Sequence, residues 1–216
     1  MPRADILTDA TRGLSLVPTA GVPAFAILAS GRGSNAEALM NAFAAGRIRA
    51  RLVGVIANVD GAEVLNKAIA CGVPTRLIAH KGLKREEHEE KLFAVLNALG
   101  AEHLLLAGYM RVLSPWLLSR FRGRIVNIHP SLLPEFPGLH GAERQFRAKR
   151  SVVGATVHYV NNGVDTGEVI LQGSIEPRGD EDEQTLVRRI LFEVEHVIYA
   201  RAVRLVVERL GVTDAS

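Results

Sequence analysis

From residue 24 onward the chain alternates short apolar runs with longer segments of helical period, and this alternation constrains the fold more than any other feature. Residues 25–29, 52–56, 75–78 and 104–106 read as strands, and 35–45, 63–71 and 85–99 as helices. In the last of these, Leu92, Val95, Leu96 and Leu99 recur at i, i+3, i+4 and i+7, which stacks them on one face. Strands joined through helices pair in parallel, because each crossover returns the chain to the same end of the sheet. The expected fold is therefore α/β, a Rossmann-like three-layer α/β/α sandwich with a mainly parallel sheet. The later half changes texture: 125–128, 155–159 and 169–171 read as strands. Residues 182–210 read as one long closing helix, with Leu186, Ile190 and Val194 on its apolar stripe.

Residues 1–23 carry Thr, Gly and Pro without either regular period, so they are expected to form an N-terminal arm outside the core, leaving 24–216 as one domain. Asp5, Asp9 and Arg12 break up this segment and argue against a signal peptide. No uncharged apolar run reaches the roughly 18 residues of a membrane helix; Glu102 interrupts even 92–110. With 26 Lys+Arg against 23 Asp+Glu, the field is too weak to imply nucleic acid, and Arg144, Arg147, Lys149 and Arg150 read as a solvated loop or helix face. Cys71 is alone, which excludes an intramolecular disulfide and fits a cytoplasmic protein; its apolar neighbours predict a buried structural thiol. The histidines form no metal-ligand spacing, so no metal is expected.

Two segments carry chemistry. Ser30-Gly31-Arg32-Gly33-Ser34-Asn35 follows the first strand and opens the first helix, where glycines let backbone N–H groups approach an anion. The loop meets the loose dinucleotide fingerprint, but the second strand ends at Asn58 instead of a ribose-binding acid, and no Gly-Lys-Ser/Thr follows. Phosphate binding is the favoured reading; a capping box from Ser34 and Glu37 is the structural alternative. The second segment, Asn127-Ile128-His129-Pro130, puts an amide and an imidazole on one face at a strand's carboxyl end, where open α/β sheets bind ligands. Asn127 can donate to an oxyanion and His129 can move protons, which suits acyl transfer. A strand-end histidine is more often a hydrogen-bonded packing residue, so the pair alone leaves both roles open.

The runs Asn127-Ile128-His129-Pro130-Ser131-Leu132-Leu133-Pro134, Pro137-Gly138-Leu139-His140, Val164-Asp165-Thr166-Gly167 and Ala107-Gly108-Tyr109-Met110-Arg111 together resemble the phosphoribosylglycinamide formyltransferase family, over about 24–210. The resemblance implies a formyltransferase fold whose mixed sheet has about seven strands. It also implies transfer of formyl from 10-formyltetrahydrofolate to the amine of 5-phosphoribosylglycinamide. By the same resemblance Asn127, His129 and Asp165 are catalytic, Gly33, Ser34 and Asn35 hold the ribotide phosphate, and Glu195 binds the ribotide. Met110, Arg111, Val112 and Leu113 line the pterin pocket beside Asn161, Asn162, Gly163 and Val164, and Arg85 faces the glutamate tail. One departure is Gly141-Ala142, where the family continues with Thr and His; it bears on the entrance for the amine substrate.

The chemistry expected of these groups is attack of the amine on the formyl carbon, with the oxyanion held by Asn127 and protonated His129 while Asp165 orients the imidazole. The partners implied are small molecules, with no nucleic acid or membrane, in a monomer or homodimer. Related transferases acting on tRNA, and hydrolases of the same folate, are expected to carry further domains. A noncatalytic anion- or nucleotide-binding module using only the glycine loop is the rival of a different class.

Overall fold

The computed structural model describes residues 5–8 and 21–212. In chain order its elements are β1 (Asp5–Thr8), β2 (Ala24–Ala29), α1 (Ser34–Ala44), β3 (Arg51–Ala57), α2 (Glu63–Ala70), β4 (Thr75–Leu77), α3 (Arg85–Ala98) and β5 (His103–Leu106). Then come α4 (Pro115–Arg120), β6 (Ile125–His129), α5 (Gly141–Arg147), β7 (Val153–Tyr159), β8 (Val169–Ile175), α6 (Glu183–Arg189), a π-helical segment (Ile190–Glu195) and α7 (His196–Arg209). The strands form one sheet in the order β1-β8-β7-β6-β5-β2-β3-β4. Pairing is parallel from β6 through β5, β2 and β3 to β4, and antiparallel from β6 through β7 and β8 to β1.

All seven expected strands are present. The eighth, β1, corrects the reading of 1–23 as an arm outside the core: Asp5 pairs with Ser174 and Ile6 with Gly173 along the edge of β8. Adding a strand to an edge uses backbone groups and needs no apolar period, so the pattern gave no sign of it. The rest of that arm, 1–4 and 9–20, lies outside the described residues, as do 213–216.

Two apolar clusters fill the spaces on either side of the sheet. One joins Leu39 of α1, Val64 of α2, Leu186 of α6 and Tyr199 of α7 to Phe25, Ile27, Val126, Ile128 and Val157. The other joins Leu92 and Leu96 of α3 and Leu117 of α4 to Leu28, Ile56, Leu104 and Ile125. The helices after β2 and β3 thus pack on one face and the helix after β4 on the other, so the winding reverses between β2 and β5. That reversal opens a crevice at the carboxyl ends of these two strands.

The closing helix is interrupted. Asp182 caps α6 by accepting from the Thr185 N–H at 2.7 Å, but 190–195 widens into π geometry before α7 resumes. Two short helices escaped the periodicity. Ser114 and Pro115 mark the start of α4, with the Ser114 hydroxyl accepting from the Leu117 N–H at 3.2 Å. The other, α5, carries Arg144 and Arg147, and much of the basic run is paired. Arg147 forks onto Glu183 at 2.8 and 2.9 Å, and Arg144 donates to the Pro137 carbonyl at 2.7 Å. Cys71 is exposed, not buried. It sits at the C-cap of α2, beyond the buried Val64 and Ala68, so its apolar sequence neighbours do not cover it.

Candidate active site

Three segments meet beside the crevice: the glycine loop after β2, residues 107–114 after β5, and the end of β6 with the loop that follows. Alternation along β6 turns Val126 and Ile128 into one cluster, and sends Asn127 and His129 to the face that carries Ile125. Antiparallel register with β7 sets His158 opposite Asn127 and Thr156 opposite His129. The following loop is fixed over this face. Thr156 Oγ1 donates to the Ser131 carbonyl at 2.6 Å and accepts from the Leu133 N–H at 3.0 Å, and Gln172 donates to the Leu133 carbonyl at 2.8 Å.

Asp165 completes the cluster from the loop between β7 and β8, holding a left-handed backbone at φ 53°. Its Oδ2 lies 3.2 Å from His129 Nδ1 and accepts from the Gly138 N–H at 2.8 Å. Gly167 makes this turn possible, since a Cβ there would run into the Tyr159 carbonyl oxygen. Burial raises the Asp165 pKa, but the His158 ring, the hydrogen bond from the Gly138 N–H and the neighbouring His129 ring outweigh it, so the carboxyl titrates below the usual range.

His129 is 4% exposed, and its Nε2 lies 2.9 Å from the Phe136 carbonyl oxygen. Acceptors at both ring nitrogens suit an imidazolium. Burial works against that charge, and it prevails over Phe136 and Asp165 to hold His129 below its ordinary value of 6.5.

His158 carries no signal in the sequence, where it reads as one more interior position of a strand. Its Nδ1 lies 2.8 Å from the Tyr159 carbonyl, and its Nε2 lies 3.2 Å from Asn127 Nδ2 and 3.5 Å from Asp165 Oδ1. An imidazole donating from Nδ1 keeps Nε2 as an acceptor, which orients the Asn127 amide. Only the β6–β7 register could have revealed this.

The glycine loop enters α1 through Gly33 at φ 71°, where a Cβ would run into Val64 Cγ2. No side chain caps this helix, and Glu37 bonds Lys67 at 2.6 Å, so the capping box is absent. The first-turn N–H groups are left for another acceptor. Asn35 Nδ2 donates to Glu195 Oε2 at 2.6 Å, while the buried Asn35 Oδ1 has no partner. Glu195 ends the π segment, and burial pushes its pKa up to about 7 against the Asn35 hydrogen bond. A π segment shifts the side chains after it relative to an unbroken α-helix, and such segments recur at functional sites.

The sequence profile described as formyl transferase matches residues 24–203. The chain belongs to the formyl transferase family. The phosphoribosylglycinamide formyltransferase of Bacillus subtilis is 36% identical over 181 residues, 83% of this chain and 92% of that protein. The trifunctional purine biosynthetic protein adenosine-3 of Drosophila pseudoobscura pseudoobscura is 42% identical over 183 residues, 83% of this chain but 13% of that protein. The chain thus spans only a small part of such trifunctional relatives. Among solved structures, glycinamide ribonucleotide transformylase 1 from Symbiobacterium toebii superposes with a TM-score of 0.84 at 37% identity, covering 92% of this chain and 93% of that one.

In this formyl transferase the segment after β5 is pinned at both ends. Met110 N–H donates to Ser30 Oγ at 2.8 Å, and Ser114 N–H donates to the buried Glu89 at 2.8 Å. Between them Met110 and Val112 project outward at 70% and 60% exposure, Arg111 is half-buried and Leu113 turns inward. Residues Asn161, Asn162, Gly163 and Val164 form an exposed turn closed by Asn161 Oδ1, which accepts from Gly163 N–H and Thr166 Oγ1, both at 2.9 Å. Arg85 is exposed one turn before Glu89, on the side of α3 that reaches Ser114. Gly141 and Ala142 are buried at the start of α5, and a Cβ on Gly141 would lie 3.0 Å from His129 Nε2. The departure from Thr-His therefore bears on the packing of the imidazole. Among the described residues no group of three or more His, Cys, Asp or Glu could hold a metal ion, and no helix is long and apolar enough to cross a membrane.

Proposed function

We propose that this chain transfers the formyl group of 10-formyltetrahydrofolate to the amine of 5-phosphoribosylglycinamide, a step of purine biosynthesis. The observation that carries this reading is the convergence of Asn127, His129 and Asp165 beside an uncapped glycine loop and a separate exposed segment at the sheet's reversal. Two candidate ligand surfaces flank one acid–base centre, as a two-substrate transfer requires. Family membership and relatives named for this reaction support the same choice.

On this reading the phosphate rests on the N–H groups of Gly33, Ser34 and Asn35, and Glu195 holds the ribotide beside it. Residues 110–113 take the pterin, with 161–164 alongside and Arg85 toward the glutamate tail. The substrate amine attacks the formyl carbon and a tetrahedral oxyanion forms. Asn127 retains a free N–H to donate to it, since its amide carries two. His129 takes the proton that the attacking amine loses as the anion develops, and Asp165 stabilises the resulting cation. The tetrahedral oxyanion then collapses to the formyl carbonyl and the carbon–nitrogen bond to the folate breaks as His129 passes that proton to the folate nitrogen. These steps use no metal and no nucleic acid, and we assign the reaction to the cytoplasm, in a monomer or homodimer.

Tetrahydrofolate formation measured with the ribotide, with water alone and with tRNA tests this assignment. Product is expected with the ribotide only. Equal consumption in water, or formyl transfer to tRNA, would assign the chain to another reaction of the same folate, and no consumption in any arm would leave a binding module.

A further inference from the structure

Asn58, directly after β3 where a dinucleotide-binding strand would carry an acid, forms part of a polar chain across the carboxyl ends of adjacent strands. Ser30, the residue after β2, donates from Oγ to Asn58 Oδ1 at 2.7 Å and accepts the Met110 N–H at 2.8 Å. The Ser30 N–H donates to the Gly108 carbonyl at 3.1 Å. Asn58 is 2% exposed, and His80, after β4, lies against it with Nδ1 2.6 Å from the Asn58 carbonyl oxygen. The hydroxyl therefore has its one proton committed to a buried, externally fixed acceptor, which leaves its lone pairs facing Met110.

The location gives this bond its consequence. Ser30 opens the glycine loop, Met110 opens the exposed segment, and β2 and β5 flank the reversal of the sheet. No other side-chain hydrogen bond among the described residues joins the glycine loop to 110–113. We propose that Ser30, oriented by Asn58, is a positioning residue that couples the two ligand sites. It holds the phosphate loop and the folate segment in one relative placement, so that occupation of one lowers the ordering cost of occupying the other. This proposal rests on the assignment of the ribotide to the glycine loop and of the folate to 110–113.

The test uses tetrahydrofolate and 5-phosphoribosylglycinamide, a pair that lacks the formyl group and cannot react. Calorimetry gives the affinity of tetrahydrofolate with and without saturating ribotide, for the unaltered chain and for Ser30→Ala, Ser30→Cys and Ser30→Thr. In the unaltered chain the ribotide is expected to tighten folate binding by at least about 5-fold, within the usual span of coupling between sites. Ser30→Ala should bring that ratio close to one while each ligand alone binds within about 3-fold of normal, and Ser30→Thr, which keeps the hydroxyl, should restore it. Ser30→Cys removes most of the hydrogen bonding at nearly constant size, so it carries the test if the alanine variant folds poorly. A purely structural serine would lower thermal stability without changing the ratio, and an unchanged ratio in both variants overturns the proposal. So does a ratio of one in the unaltered chain. Failure of the unaltered chain to bind either ligand alone overturns the site assignment, and the coupling with it.

Discussion

Asp165 Oδ2 and His129 Nδ1 lie 3.2 Å apart, one contributed by a turn after β7 and the other by the last residue of β6. The carboxylate is tied to the Gly138 N–H as well, so the loop over His129 and the group that charges it move as one unit. Asp165→Asn nearly preserves this shape and removes the anion. Turnover is expected to fall by about 100-fold or more, with substrate affinities changing much less. The His129 pKa, already held below its ordinary 6.5 by burial, should drop further. Steady-state kinetics with an NMR titration of His129 measures both; near-normal turnover with an unmoved titration would remove Asp165 from the centre.

His158 orients Asn127 through Nε2 at 3.2 Å. His158→Leu leaves the Asn127 amide free to rotate. Turnover should fall by roughly 10- to 100-fold, within the range of misplaced acid–base and oxyanion groups, while the ribotide KM stays close to normal. Kinetics at saturating folate decides this; a raised ribotide KM with unchanged turnover would move His158 from the reacting centre to the ligand site.

Glu195 makes stability depend on pH. Its folded pKa of about 7 lies above the ordinary 4.5, so the fold favours the neutral acid. The contribution is fully present below about pH 4.5 and is lost as pH rises through about 7, to about 3 kcal/mol in total from the size of the shift. Glu195→Gln stays neutral and should flatten the loss between about pH 5 and about pH 8. Chemical denaturation at the two pH values checks this, and parallel pH dependence in both proteins would show that Glu195 is not the titrating group. The same replacement should weaken ribotide binding at the higher pH.

Gly33→Ala combines a left-handed φ of 71° with a Cβ that runs into Val64 Cγ2. The replacement should destabilise the fold by more than about 2 kcal/mol. It should also weaken ribotide binding more than folate binding. A denaturation midpoint close to that of the unaltered chain would show that α2 can shift away from the loop.

The alternation of strands and helices was legible in the residues alone, because burial on both faces of a parallel sheet demands apolar runs such as 25–29 and 104–106. So was the glycine loop, since the turn into α1 tolerates no side chain at Gly33, and so was the pairing of Asn127 with His129, since residues two apart on a strand share a face. Other features depended on the assembled fold. The family resemblance already joined Asp165 to His129, but their contact requires the β7–β8 turn to fall where it does, and the role of His158 requires antiparallel register. Strand β1 forms because β8 offers an open edge, a property of the completed sheet. The downward pull on the His129 pKa was out of reach for the same reason: neighbours can be inferred from motifs, but the desolvation that outweighs them exists only once the loop over 131–138 has closed on the imidazole.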